Sequence, residues 1–441
     1  MPETVSKDLL GKKILITAGR AHEDIDGVRH YANHKRPEGH GYAVAEALAA
    51  RGADVTLVSA KNHFMPPSGC RVIRKTNEGK DLCCGQDIMA AAENTLAQGS
   101  FDAVLCLASI PSIRPEQKAA NKLKVKHNLG DPVTMAVIGN MDIQVRARAW
   151  NLSVLGYDTH QEKFSSPDLP DWLVDLTPTI LEKQNAAFPP RPHRDDDIGP
   201  SSATLFGKTI LMTSGPTEEM ITASGDVITN FSSGRQGYDL ARAFANEGAS
   251  VTYVVGPTYF PAPAHDNIKT VHVHSARSML AACEAHVPAD IFVGVAAVAD
   301  FGCKNPPDLR LPEGQRYDLV LDQNPDILST MGHHAQRPGF VVGFAAETDP
   351  ANIMAYAQGK LEKKGADMIC ANLVGPAIAA RGATNNQVII LSRDAEPFPL
   401  ANMSKTGTAQ AIVEQIKQRL SVTCHRPSAK LGPTEIKEPK F

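Results

Sequence analysis

Apolar and mixed stretches alternate along this chain in a set order, and the order occurs twice. The run KILITAG (13–19) leads to GYAVAEALAARG (41–52) and then to DVTLVS (54–59). Further on, TILMTSG (209–215) leads to GYDLARAFANEG (237–248) and SVTYVVG (250–256). Short continuous apolar runs rich in β-branched residues predict strands buried on both faces, as in a parallel sheet covered by helices. The Ala- and Leu-rich stretches predict helices closed by Gly52 and Gly248, because glycine accepts the left-handed backbone that ends a helix. Strand, loop, helix, strand is a βαβ unit. The fold class is therefore α/β, with a Rossmann-like, doubly wound parallel sheet in each copy.

The correspondence extends beyond one unit. GKKILITAGRAHED at Gly11 matches GKTILMTSGPTEEM at Gly207, an offset of 207 − 11 = 196 residues. RGADVTLVSAKNHF faces EGASVTYVVGPTYF at that offset. FDAVLCLASI faces ADIFVGVAAV, and VIGNMDI faces LDQNPDI. A repeat this long is a whole domain rather than a solenoid unit. Between the copies, FPPRPHRDDDIGPSS is Pro-rich, charged and without apolar period, so it predicts an exposed linker. The expected organisation is a first domain over 1–187, a linker over 188–203, a second domain over 204–422 and a loose tail over 423–441. The length of 441 residues suits two or more domains.

Composition narrows the function. A formal net charge of −3 argues against a general nucleic-acid binder. No apolar run is long enough to span a bilayer. The start, MPETVSKDLLGKK, lacks the layout of a secretory signal. The eight cysteines form no CxxC pair; adjacent Cys83 and Cys84 are a redox candidate, but cytosolic thiols usually stay reduced. A soluble, cytoplasmic protein acting on small molecules is expected, with no nucleic-acid or membrane partner.

Three stretches carry candidate chemistry. In VITNFSSGRQGYDLA, Asn230, Ser232, Ser233 and Gly234 precede a helix expected to start near Gly237. Backbone N–H groups and the helix dipole there suit an anion; the plainer reading is that the serines cap the helix. Lys360 and Lys364 in GKLEKKGAD share a helix face at a spacing of four. They repel unless an anion joins them, or they are simply a solvated basic face. VGVAAVAD runs from a strand into Asp300, and strand ends are where open α/β sheets bind ligands. Neither first loop is GxGxxG and no Walker A loop is present, which weakens a dinucleotide reading.

The segments TSGPTEE, TNFSSGRQG, GVAAVADF, QNPDIL, VGFAAETD, ADMICANLV and GATNNQVIIL, in order over 205–420, resemble the phosphopantothenoylcysteine synthetase family. The first copy looks like a diverged relative over about 10–160. In bacteria this ligase is commonly fused behind a flavin-dependent decarboxylase; here a second ligase-like copy takes that place. The resemblance implies a ligase that joins 4′-phosphopantothenate to L-cysteine. A nucleoside triphosphate, CTP or ATP, activates the carboxylate as an acyl-nucleotide and releases pyrophosphate, and the cysteine amine then attacks. Mg²⁺ would ride on the triphosphate, with no protein metal site. By the same resemblance Asn230 holds the activated acyl group, with Ser232, Ser233 and Gly234 beside it. Lys360 and Lys364 hold the triphosphate. Gly294, Val295, Ala296, Asp300, Asn324, Pro325, Asp326, Ile327 and Phe344 surround the nucleotide.

The second copy departs from the family at two points. Its flap, FGCKNPPDLRLPEGQ, carries only Lys304 and Arg310 where the family is lysine-rich. The first copy reads SIRPEQKAANKLKVK, which sets Lys122 on the family's catalytic lysine. The family also has an Arg four residues before the Asn. The second copy has Asp226 there, whereas the first has Arg29, four before Asn33. The expectation is a fused pseudo-dimer with one composite site: Asn230 from the second copy, Arg29 and Lys122 from the first. The alternatives are a degenerate first copy serving as scaffold, the same chemistry on another carboxylate or amine, and an inactive nucleotide-binding paralogue. A homodimer of the fused chain is compatible with all of these.

Overall fold

The computed structural model describes residues 7–33, 39–62, 64–111, 113–119, 133–139, 153–158, 163–165, 179, 205–222, 225–258, 260, 262–303, 316–347, 351–373, 385–393 and 395–423. Lys122, Lys304, Arg310, the 188–203 linker and the tail beyond Thr423 lie outside the described residues.

The first half gives β1 (Lys13–Ala18), β2 (His22–Asp24), β3 (Arg29–Asn33), α1 (His40–Ala50), β4 (Asp54–Ser59) and β5 (Cys70–Ile73). It continues with α2 (Gly85–Gln98), β6 (Ala103–Cys106), β7 (Ile113–Pro115), β8 (Val133–Gly139), β9 (Ser153–Asp158) and β10 (Lys163–Ser165). The second half gives β11 (Thr209–Ser214), β12 (Glu218–Met220), β13 (Asp226–Asn230), α3 (Arg235–Asn246), β14 (Ser250–Val255), β15 (Ile268–His272) and α4 (Ala276–Glu284). Next come β16 (Ile291–Gly294), β17 (Phe301–Gly302), β18 (Arg316–Gln323), α5 (Ile327–Gly332), β19 (Phe340–Glu347), α6 (Ile353–Lys363) and β20 (Met368–Leu373). The last elements are β21 (Asn385–Asn386), β22 (Val388–Ser392), β23 (Ala395–Pro399), β24 (Met403–Ser404) and α7 (Lys405–Thr423).

Each half is built on one large sheet. The orders are β10-β9-β6-β1-β4-β5 and β15-β14-β11-β16-β19-β20-β22-β23. The inner strands are parallel, and antiparallel strands are added at one edge of each sheet. The central strands are largely apolar because alternate residues feed two cores, whereas outer strands such as β15 and β23 carry exposed polar residues. Ile210 and Met212 enter one cluster and Leu211 the other; Ile14 and Ile16 are opposed in the same way by Leu15. Each such side chain stabilises the fold by about 1.5–3 kcal/mol. Gly52 and Gly248 follow α1 and α3 with φ of 96° and 85°, as the sequence predicts.

Two smaller sheets join the halves. One has the order β12-β13-β3-β2 and the other β17-β18-β8-β7. In the first, β13 and β3 run antiparallel, with Ile228 opposite Tyr31, Asn230 opposite Arg29 and Asp226 opposite Asn33. In the second, β18 pairs with β8 from Arg316↔Ile138 to Leu321↔Val133. Ile25, Tyr31, Ile113, Ile221, Ile228, Phe301, Leu319 and Leu321 form a core drawn from both small sheets and both halves.

Candidate functional site

The site lies at the C-terminal ends of β11 and β16, neighbours from which the chain departs to opposite sides of the sheet. That reversal opens a crevice in α/β sheets. β16 ends at Gly294, where an added Cβ would lie 3.3 Å from the Phe292 ring. The chain then continues as a loop, so Asp300 stands beyond the strand rather than on it. The loop is sewn to the β11 end: Val295 N donates to Thr213 O at 3.3 Å, and Ala297 N to Gly215 O at 2.9 Å. Asn324 Nδ2 donates to Ala299 O at 2.9 Å, which ties the NPDI turn to this loop. Pro325 is half-buried, and Asp326 caps α5 by accepting from Ser329 N at 2.9 Å. Ile327 is buried at the start of α5, and Phe344 is half-buried on β19. Gly294, Val295 and Ala296 are half-buried along the crevice.

Asn230 ends β13 and is buried, 6% exposed. Its Nδ2 donates to Val298 O at 2.8 Å and Ala297 O at 3.4 Å. Only the amide NH₂ can donate, so these bonds fix the orientation and leave Oδ1 buried with no hydrogen-bond partner. A buried acceptor without a donor is costly, by roughly 1–3 kcal/mol, unless a ligand completes it. Opposite it, Arg29 is buried and comes from the other half of the chain. Its Nε lies 3.1 Å from Asp26 Oδ2 and its Nη1 lies 3.9 Å from Asp300 Oδ2. Asp26 also accepts from Val28 N and Arg29 N, both at 2.8 Å, which fixes the turn that delivers Arg29.

The anion loop differs in detail from its sequence reading. α3 begins at Arg235, before Gly237, and its N-cap is Gly234 at φ 73°. Ser232 Oγ accepts from Gly234 N at 3.3 Å and Ser233 Oγ from Arg235 N at 3.4 Å. The serines therefore make local i to i+2 bonds on the approach to the helix, while the cap position itself is Gly234 and has no side-chain cap bond. The lysines also differ. Lys364 is the first residue past α6, and the two cations do not meet as a bare pair. Lys360 Nζ donates to Glu347 Oε1 at 2.7 Å, and Lys364 is ion-paired to Asp326.

Glu219 was not foreseen. It is buried beside the loop, accepts from Ala276 N at 2.7 Å, and flanks Gly302, whose added Cβ would lie 3.2 Å from Glu219 Oε2. Burial pushes its carboxyl above the ordinary value, against hydrogen bonds that pull it down. Its signal was only a Glu-Glu pair in TSGPTEE. Burial pushes the Cys84 thiol up to about 12, which disfavours the thiolate that redox chemistry needs.

The family described as DNA/pantothenate metabolism flavoprotein C-terminal domain matches residues 9–160 and again 205–420. The coenzyme A biosynthesis bifunctional protein CoaBC of Haemophilus influenzae is 37% identical over 221 residues, 50% of this chain and 54% of that protein. The chain thus spans about half the length of the first curated relatives it matches. The protein of the same name from Escherichia coli K12 is 34% identical over 431 residues, 93% of this chain and 98% of the relative. A crystal structure of the C-terminal domain of a CoaBC protein is 36% identical, covers 50% of this chain and 100% of that one, and has a TM-score of 0.41. This chain belongs to the DNA/pantothenate metabolism flavoprotein C-terminal domain family, that of the phosphopantothenoylcysteine synthetases.

Proposed function

We propose that the protein is a cytoplasmic ligase that joins 4′-phosphopantothenate to L-cysteine, with CTP as the activating nucleotide, at one composite site. The chain would be a fused pseudo-dimer, with domains over 1–187 and 204–422, a linker over 188–203 and a tail over 423–441. The observation that carries this is the cross-strand couple Asn230–Arg29, one residue from each half, at the mouth of the crevice. The relatives' printed names, proteins of coenzyme A biosynthesis, support the substrate class.

In the first step the pantothenate carboxylate attacks the α-phosphorus of CTP. An acyl O–P bond forms, the α–β P–O bond breaks, and pyrophosphate leaves. Lys360 and Lys364 would exchange Glu347 and Asp326 for triphosphate oxygens, which keeps their charge paired throughout. In the second step the cysteine amine attacks the acyl carbon. The N–C bond forms, CMP leaves and the amine releases a proton. Arg29, with its guanidinium held by Asp26, is preorganised to meet charge developing beside Asn230. Ser232, Ser233 and Gly234 would line the acyl side, and Lys122 of the first-half flap would add a second cation. Mg²⁺ is expected with the triphosphate, held through phosphate oxygens and water; among the described residues no cluster of three His, Cys, Asp or Glu side chains offers a cage.

The test is pyrophosphate release with CTP or ATP, first with phosphopantothenate and then with cysteine. Release that needs phosphopantothenate, and product that needs cysteine, is the expected result. Nucleotide binding with no release from any acid would leave an inactive paralogue. Release with a different acid would leave the mechanism and change the substrate. Lys122→Ala should slow the chemical step by about 10²-fold.

A further inference from the structure

The reverse side of the Asn230–Arg29 ladder carries a ring stack that the proposed chemistry does not use. His30 follows Arg29 on β3, and Phe231 follows Asn230 in the other half. Their rings stack with centroids 4.1 Å apart and planes at 21°. His22 on β2 stands edge-on to both, 5.1 Å from His30 and 5.2 Å from Phe231. Its Nε2 lies 3.7 Å from Asp24 Oδ1. The pairing of the halves runs one step past β13, with Phe231 N donating to Val28 O at 3.0 Å. Successive residues of a strand point to opposite faces. His30 and Phe231 therefore lie behind the rung whose front holds Arg29 and Asn230. Phe231 also opens the Ser232–Ser233–Gly234 loop.

We propose that His30, backed by His22, is a positioning residue: by stacking on Phe231 it fastens the last rung between the halves and so sets Asn230 against Arg29. The first half then contributes the hold on the anion loop as well as a charge. The stack needs a flat ring at position 30, and neither a proton nor a charge. The catalytic part of this inference rests on the ligase reading above; the mechanical part does not.

The experiment uses the whole chain and two readouts. Amide hydrogen exchange over 226–238 reports the hold on the loop whatever the reaction. His30→Ala and Phe231→Ala should speed exchange at Phe231–Gly234 and leave the large sheets unchanged, whereas His30→Phe should keep wild-type protection. In turnover, both alanine variants should lose about 10-fold or more in kcat, the scale of a small misplacement of reacting groups. Their Kd for CTP should stay within about three-fold, because Lys360 and Lys364 are untouched, and His30→Phe should recover most of kcat. Wild-type exchange and kcat in His30→Ala would overturn the proposal. So would His30→Phe failing as badly as His30→Ala, since ring stacking would then not be what matters. If an alanine variant does not fold, His30→Phe and Phe231→Leu carry the same comparison. An inactive wild type would sink the ligase reading and leave the exchange result to decide on the clamp.

Discussion

Replacing Arg29 by Ala strikes the site and the interface together, and the two effects separate. The guanidinium is 6% exposed and its partner Asp26 is fully buried, 3.1 Å away. Breaking a buried ion pair typically costs about 3–5 kcal/mol, because the surviving charge is stranded. Asp26 keeps two backbone N–H donors at 2.8 Å, so the loss should fall at the lower end. Losing the guanidinium's approach over the Phe301 ring, at 5.6 Å, adds little. The chemical step should fall by about 10²–10³-fold, the effect of removing one preorganised donor, or roughly 2.7–4 kcal/mol. Arg29→Lys should recover part of the stability and little of the rate, since an ammonium cannot span Asp26 and the site as a planar fork does. Melting followed by circular dichroism gives the first quantity. Single-turnover pyrophosphate release and cysteine capture, per folded molecule at saturating CTP, give the second. A folded Arg29→Ala variant turning over within about three-fold of wild type would refute a composite site.

Lys360→Ala with Lys364→Ala should weaken CTP binding far more than CMP binding, by roughly 1.5–3 kcal/mol per lost charge-assisted contact; equal loss in calorimetry would place the lysines off the triphosphate. Gly234→Ala should destabilise by about 1–2 kcal/mol, since φ is 73° and the new Cβ would meet Thr258 Oγ1 at 2.5 Å; an unchanged denaturation midpoint would contradict this. Glu219 has its folded pKa raised from 4.5 by burial, so it favours the fold below 4.5 and loses that contribution as pH rises through the folded value. Melting temperatures of wild type and Glu219→Gln should therefore differ in pH slope above 4.5, and identical slopes would remove Glu219 as the source.

The βαβ units were legible because their signals are local. A strand buried on both faces reads as an unbroken apolar run, and Gly52 and Gly248 mark where each helix must stop. The crevice followed from the same pattern, since strand ends locate it. The small sheets were not legible. VRHYAN and DVITN are short and mixed in polarity, and what makes them strands is pairing with a segment about 200 residues away. The carboxylate partners of the lysines were hidden for the same reason: Glu347 and Asp326 sit on other elements, 13 and 38 residues from the lysines they neutralise. Nothing in the sequence joined His30 to Phe231, because their relation exists only across the ladder.

That ladder also bears on why one end would carry chemistry and the other not. Its two ends hold matched positions, Asn230 opposite Arg29 and Asn33 opposite Asp226. At the first end a guanidinium faces an amide whose oxygen is unpartnered. At the second, Asp226 is fully buried and accepts from Asn33 Nδ2 at 3.1 Å and from Thr222 Oγ1 at 2.9 Å, which ties the Asn33 side chain to the other half rather than to the site. An anion brought to Asn33 would also meet a like charge across the strands. At about 5 Å and an effective dielectric near 20 that repulsion is roughly 3 kcal/mol. Restoring an arginine at 226 would reverse the sign but not free the end, because Asn33 and Thr222 are already placed around a carboxylate. A single exchange of residue type, Arg for Asp, thus favours one reactive end over two, and turns the other into a hydrogen-bonded joint between the halves.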